Sequence, residues 1–210
     1  MKKARIIVQI LFLIIFIVTI LTGKTVLWLG IFGVSFIGAL IFGRFYCGYI
    51  CPMNTTMRIS TKIAKRFHLQ TDRIPKWMEK KAVPWMVLIM MIATIILSKR
   101  IFHMEIPVLL VLVLISILFT LRYEEWIFHN HICPYGALLR MTGRWARIAT
   151  KVGQSKCIGC GKCENVCQAM AVKVDSGSKK AIINTAICHQ CQECSIVCPV
   201  DAIQYKSRNK

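Results

Sequence analysis

A chain of 210 residues has room for one or two small units, and at 56% hydrophobic it is too apolar for an ordinary soluble domain of that size. Its 28 Lys and Arg against 9 Asp and Glu give a formal charge of +19, a sum that alone would suit a nucleic-acid surface. The positions exclude that reading: basic residues are nearly absent from four long apolar runs and crowd beside them, so lipid is the expected neighbour and nucleic acid is not.

The four runs, residues 6–22, 26–43, 82–98 and 106–121, carry no Asp, Glu, Lys or Arg. Each has about the length a tilted helix needs to cross the hydrocarbon. Pro84 and Pro107 fall near run ends, where a missing N–H is tolerated. Orientation follows from the basic residues. Lys2, Lys3 and Arg5 precede the first run, and Arg44, Arg58, Lys62, Lys65, Arg66, Arg73, Lys76, Lys80 and Lys81 lie between the second and third. Arg122, Arg140, Arg144, Arg147 and Lys151 follow the fourth, while the opposite side holds only Lys24, Lys99 and Arg100. The positive-inside rule puts both termini in the cytoplasm of a multi-pass inner-membrane protein. No small-residue cleavage site follows the first run, so a removable signal peptide is not expected. Trp28 suits an outer-interface anchor, and Trp85 and Trp126 inner ones.

The chain repeats itself weakly. At an offset of 82 residues, Ile50-Cys51-Pro52 falls on Ile132-Cys133-Pro134, and Arg58, Lys62 and Lys65 fall on Arg140, Arg144 and Arg147. Each half therefore reads as a helical hairpin, a Cys-Pro motif and a basic amphipathic segment. In residues 56–69 the faces are Ile59, Ile63 and Phe67 against Arg58, Lys62 and Lys65. In residues 137–151 they are Leu138, Met141, Trp145 and Ile148 against Arg140, Arg144 and Arg147. Both segments are expected as helices in the inner interface on anionic lipid, with a solvated charged face as the plainer alternative.

The first motif reads C-x3-C-P from Cys47 through Cys51-Pro52; the second has His129 where the repeat calls for Cys, then Cys133-Pro134. Thiolates near a membrane face are costly without a cation. Cys47, Cys51 and Cys133 are thus expected as a third metal or redox site, with His129 as fourth ligand and His131 as its alternative. The plainer reading is a pair of helix-ending turns with Cys packed as a small apolar residue. His103 and Glu105, in the short outer loop, invite a proton-exchange role with a quinone; a solvated loop explains them as well.

The C-terminal quarter is the most specific part of the chain. Cys157, Cys160, Cys163 and Cys167 form one C-x2-C-x2-C-x3-C run, and Cys188, Cys191, Cys194 and Cys198 form a second, closed by Pro199. This is the bacterial signature for two [4Fe–4S] clusters, in which the fourth Cys of each run ligates the other cluster. Cys157, Cys160, Cys163 and Cys198 are assigned to one cluster, and Cys188, Cys191, Cys194 and Cys167 to the other. Zinc sites separate their ligand pairs by longer gaps, and a disulfide framework does not use this spacing. Cluster loops need reduced thiols, which independently points to the cytosol. Residues 171–184 read as a hairpin around Asp175-Ser176-Gly177-Ser178. No nucleotide loop, flavin motif or hydrolytic triad is present.

The fold class expected is an α-helical polytopic membrane domain over 1–151, with four transmembrane helices in two pseudo-repeated hairpins. A small α+β dicluster-ferredoxin domain with a short basic tail follows over 152–210. Four apolar runs, two Cys-Pro motifs at the inner face, the lead-in Arg44-Phe45-Tyr46-Cys47-Gly48-Tyr49-Ile50-Cys51-Pro52 and the dicluster signature together resemble the NapH/MauN type of membrane-bound ferredoxin-type protein. They also resemble the membrane part of the nitrous-oxide reductase accessory protein NosR. The second motif departs by carrying His129. The resemblance implies an electron-transfer subunit of the quinol dehydrogenase type, rather than a complete enzyme. It would pass electrons between the quinone pool and other subunits of a redox complex or a soluble carrier. Two further readings stay open: an accessory or redox-sensing ferredoxin that serves cofactor assembly, and a membrane anchor that recruits a partner.

Overall fold

The structure is a computed structural model that describes residues 2–71, 73–98, 100 and 107–207. His103 and Glu105 lie outside the described residues. The apolar runs fold as helices α1 (Lys2–Leu21), α2 (Thr25–Phe42), α4 (Val83–Leu97) and α5 (Val108–Arg122). Pro84 sits in the first turn of α4 and Pro107 caps α5, the places where a ring without an N–H costs least.

Among the described residues, two helices are long and apolar enough to span a bilayer: 19 residues of α1 with mean hydropathy 2.8 and the 18 of α2 with 2.2. Their apolar side chains point outward around the helix; Leu21 is 80% exposed and Val34 75%. A helix apolar on all sides needs a nonaqueous cover, and the described residues leave these side chains exposed. Helices α4 and α5 are as apolar but have 15 residues each. At 1.5 Å per residue that is about 22 Å, short of the hydrocarbon thickness.

The chain forms two compact units, one of residues 7–32 and 50–137, the other of residues 1–6, 33–49 and 138–210. In the first, Phe16 and Trp28 pack edge to face at 5.0 Å. Trp28, expected as an interfacial anchor, is instead buried, because this pairing holds its ring between the first two helices. Helix α3 (Pro52–Arg66) packs along α5 through Met53, Met57, Ser60, Thr61 and Ala64. The Ser60 hydroxyl lies 3.0 Å from the Ile117 carbonyl and 2.8 Å from the Thr120 hydroxyl, a polar tie suited to helices without a hydrophobic drive to associate. The Ile59, Ile63 and Phe67 stripe stays exposed. A short α6 (Glu125–Ile127) then leads into a π-helical turn, Phe128–Ile132, that packs on α4 and α5.

The other unit holds the ferredoxin-like fold. Strands β1 (Ile148–Val152) and β4 (Ile203–Ser207) pair antiparallel, with Thr150 opposite Tyr205. Strands β2 (Val172–Val174) and β3 (Ala181–Ile183) make the expected hairpin. Short helices α8 (Lys162–Asn165) and α9 (Glu193–Ile196) each follow a cysteine loop. Helix α7 (Pro134–Gly143) ends earlier than the amphipathic pattern over 137–151 suggests. Ile148, Thr150 and Val152 are β-branched at alternate positions, and pairing with β4 draws them into a strand where a helix was expected.

Candidate iron–sulfur sites

The two cysteine loops share one backbone. Positive φ occurs at Gly159 (70°) and Gly161 (74°) in the first and, 31 residues on, at Gln190 (56°) and Gln192 (59°) in the second. Met170 and Asp201, each three residues past the last Cys of a run, also have positive φ. In both halves a following amide donates to that Cys: Ala171 N to Cys167 Sγ at 3.2 Å and Ala202 N to Cys198 Sγ at 3.3 Å.

Cys157, Cys160, Cys163 and Cys198 line one cavity, walled by Ala181, Val200, Ala202 and Ile203. Cys188, Cys191 and Cys194 each lie within electrostatic reach of Cys167. The structure thus gathers four thiols of the first set and four of the second. None of the eleven cysteines forms a disulfide. Among the described residues no three His, Cys, Asp or Glu side chains converge closely enough for a single metal ion. The soft donor set, the apolar walls and the amides aimed at sulfur all suit a four-iron cube.

The loops differ in what covers them. In the first, Cys160 is exposed and Ile158 is 62% exposed. The amide of Ala181 donates to Cys157 Sγ at 3.4 Å and holds that thiol below its ordinary range. In the second, Cys188, His189 and Gln190 are all buried. Burial pushes the Cys188 thiol far up, Cys191 up, and Cys194 up to about 12, as it also raises Cys163 of the first loop, and a cation beside such sulfurs would favour their thiolates.

The cover of the second loop comes from chain regions far away in sequence. A Cβ on Gly48 would stand 2.3 Å from the His189 carbonyl oxygen and 3.5 Å from Cys191 Cα, so only glycine admits this approach. Gln190 accepts hydrogen bonds from Thr150 N at 2.9 Å and Thr150 Oγ1 at 2.8 Å. Arg44, 1% exposed, donates to the Ala186 carbonyl at 3.4 Å and to Cys47 Sγ at 3.7 Å. Arg5 donates to the Cys191 carbonyl at 3.0 Å and pairs with Glu193.

The second cysteine set also repeats in structure. A π-helical turn precedes each Cys-Pro pair, Tyr46–Ile50 and Phe128–Ile132. Cys51 and Cys133 adopt the same extended conformation, φ/ψ of −63°/118° and −63°/116°. Cys51, Cys133 and His129 are buried in one unit; Cys47 is buried in the other. His129 Nε2 lies 3.2 Å from Asn54 Oδ1, and the Gly136 amide donates to Cys133 Sγ at 3.4 Å. The Tyr135 hydroxyl is pushed up by burial and then by Cys133 and Cys51, which places both sulfurs within its electrostatic reach.

Sequence reading passed over several of these residues. Arg5 and Arg44 counted only as topology charges, and nothing local marks them as loop contacts. Gln190 and Gln192 had a signal: aligning the two runs puts them on Gly159 and Gly161. Glu125 is 8% exposed, and burial raises its carboxyl to about 7 against the pull of Arg58 and Lys65. Its place beside a basic helix showed only after folding.

The profile of a 4Fe-4S dicluster domain matches residues 156–202, and that of a 4Fe-4S binding domain matches twice, at 25–70 and 105–153. The two matches fall on the two halves of the internal repeat. An uncharacterized protein of Methanocaldococcus jannaschii is 26% identical over 183 residues, covering 84% of this chain and 70% of the relative. The methylamine utilization ferredoxin-type protein MauN of Methylobacillus flagellatus is 30% identical over 154 residues, covering 66% and 53%. The ferredoxin-type protein NapH of Haemophilus influenzae is 25% identical over 185 residues, covering 81% and 64%. The chain therefore spans between half and seven tenths of the length of these relatives.

Proposed function

From homology to the NapH and MauN ferredoxin-type proteins over most of its length, we infer that this iron–sulfur electron-transfer protein relays electrons between the quinone pool and a partner oxidoreductase. The observation that carries the reading is one chain joining two membrane-length helices to two four-cysteine loops. Cys157, Cys160, Cys163 and Cys198 would hold one [4Fe–4S] cluster; Cys188, Cys191, Cys194 and Cys167 would hold the other. Such a cluster, when bound, supplies reversible one-electron exchange without bond-making on a substrate. The protein's residues ligate, donate N–H groups to sulfur through Ala171, Ala181 and Ala202, and exclude water with Val172, Ala202 and Ile203.

Four transmembrane helices with both termini in the cytoplasm complete the proposal. Its support is the outward apolar surface of α4 and α5 and the basic residues crowding one side of the spans. Cys47, Cys51, Cys133 and His129 are proposed as donors to a further iron–sulfur or metal group. The 4Fe-4S binding profile over both halves and the shared Cys-Pro backbone support them.

Reduction of the purified, anaerobic protein in proteoliposomes by a quinol analogue tests the function. Rapid bleaching of the iron–sulfur absorbance is expected. Reduction only by a low-potential ferredoxin would turn the reading toward cofactor assembly or sensing. Iron analysis should give roughly eight irons per chain from the ferredoxin loops. A fall in iron on changing Cys47, Cys51 and Cys133 together to Ser supports the further group; an unchanged count removes it.

A further inference from the structure

Arg5 lies in the first turn of α1, where the sequence offers it only as a topology signal. In the structure it is 3% exposed, a guanidinium taken out of water. One arm donates to the Cys191 carbonyl at 3.0 Å, and the other pairs with the Glu193 carboxylate, itself 12% exposed. Both partners belong to the second cysteine loop. At the first loop a Lys180 Nζ contact to the Cys157 carbonyl at 2.5 Å falls on a different cysteine position, from a side chain with more access to water.

We propose that Arg5 is a positioning residue that sets the reduction potential of the cluster held by the second loop, acting through the Cys191 carbonyl and the Glu193 carboxylate. The inference rests on the iron–sulfur reading of that loop. Reduction adds one negative charge at the ligand set, and a permanent cation in a low-dielectric site favours the reduced form. Potentials of such groups follow net charge and hydrogen bonding around the thiolates. Glu193 opposes Arg5, so the two residues should act with opposite signs. Removing the guanidinium leaves a buried carboxylate beside Cys194 and disfavours reduction. Neutralising the carboxylate leaves the cation uncompensated and favours it.

The test is a redox titration of the full-length protein in detergent, followed by electron paramagnetic resonance, with iron and sulfide measured on each sample. Arg5→Gln should lower one of two midpoint potentials, Glu193→Gln should raise that same one, and Arg5→Lys should stay near the parent value. The other potential should stay in place throughout. Shifts of the same sign in Arg5→Gln and Glu193→Gln, equal movement of both potentials, or no movement with iron retained would each overturn the proposal. If Arg5→Gln fails to assemble, Glu193→Gln decides alone: no upward shift ends the idea. A parent protein without iron or sulfide would sink the iron–sulfur reading instead, so the two failures are separable.

Discussion

The two cysteine loops have the same spacing and the same succession of positive-φ residues, yet the chain treats them as different objects. The first is built from its neighbours: Lys179, Lys180 and Ala181 of the adjoining hairpin close it, and Cys160 remains exposed. The second is covered by Arg5, Gly43, Arg44, Gly48 and Thr150, drawn from three distant parts of the chain. The first loop uses glycine where the backbone turns left-handed. The second puts Gln190 and Gln192 there, accepting about 1 kcal/mol of strain at each. For Gln190 the return is visible: its amide is the tie to β1. Under the proposed ligation, unequal cover would give the two clusters unequal exposure and predicts unequal potentials.

Crossed ligation gives the largest test. Cys198→Ser should remove the group of the first loop and Cys167→Ser that of the second, each leaving roughly half the iron of the parent protein. Iron analysis counts the loss, and the surviving resonance signal identifies which group remains. Loss of the first-loop signal in Cys167→Ser would break the pairing by which the loops are compared.

Close-approach glycines come next. Gly48→Ala places Cβ against a backbone carbonyl and should cost about 1–3 kcal/mol, releasing iron from the second loop first under a chelator. Gly159→Ala should do the same to the first loop, since its Cβ would lie 2.0 Å from the Lys179 carbonyl oxygen at a φ of +70°. Gly161→Ala meets nothing within 4 Å and should show only the cost of its φ, about 1 kcal/mol. Equal iron-release rates for Gly159→Ala and Gly161→Ala would remove the steric part of this account.

Gln190 separates strain from anchoring. Gln190→Ala strands two buried Thr150 donors and should destabilise the second loop by about 1–3 kcal/mol in thermal bleaching. Gln190→Gly should recover about 1 kcal/mol of that through its left-handed backbone. If glycine is no better than alanine, φ strain is not part of the loop's design.

Glu125 belongs to neither loop and serves as a control. Its folded-state value of about 7 lies above the ordinary 4.5, so the folded protein holds the proton more tightly. Stability is then greatest below pH 4.5 and falls as pH rises through about 7, by on the order of 3 kcal/mol. Glu125→Gln should flatten that slope in detergent melts while leaving both redox potentials where they are.

Much of this was legible in the sequence, for identifiable reasons. Gaps of two residues between cysteines force a tight loop, so the cluster loops and the 171–184 hairpin could be read locally. Unbroken apolar runs gave helices α1, α2, α4 and α5 to within a few residues. The failures were those of one-dimensional patterns. Residues 148–151 fit a helical face until β4, more than 50 residues on, offers them backbone partners. Trp28 looks like an anchor until Phe16 is beside it. In α3 the buried face is Met53, Met57, Ser60 and Ala64, chosen by α5 and not by the helix's own pattern of charge.

Spacing is a short-range matter, so the amino-acid order alone marked out the two cysteine runs and the stretches that avoid water. Cover is a matter of long-range return. Only the tertiary structure decided that Arg5 and Arg44 face the second loop, that Gly48 admits it, and that Cys160 of the first is left open. The reason is physical: coordination is satisfied within a few residues, whereas burial and electrostatic field come from whatever the folded chain brings alongside.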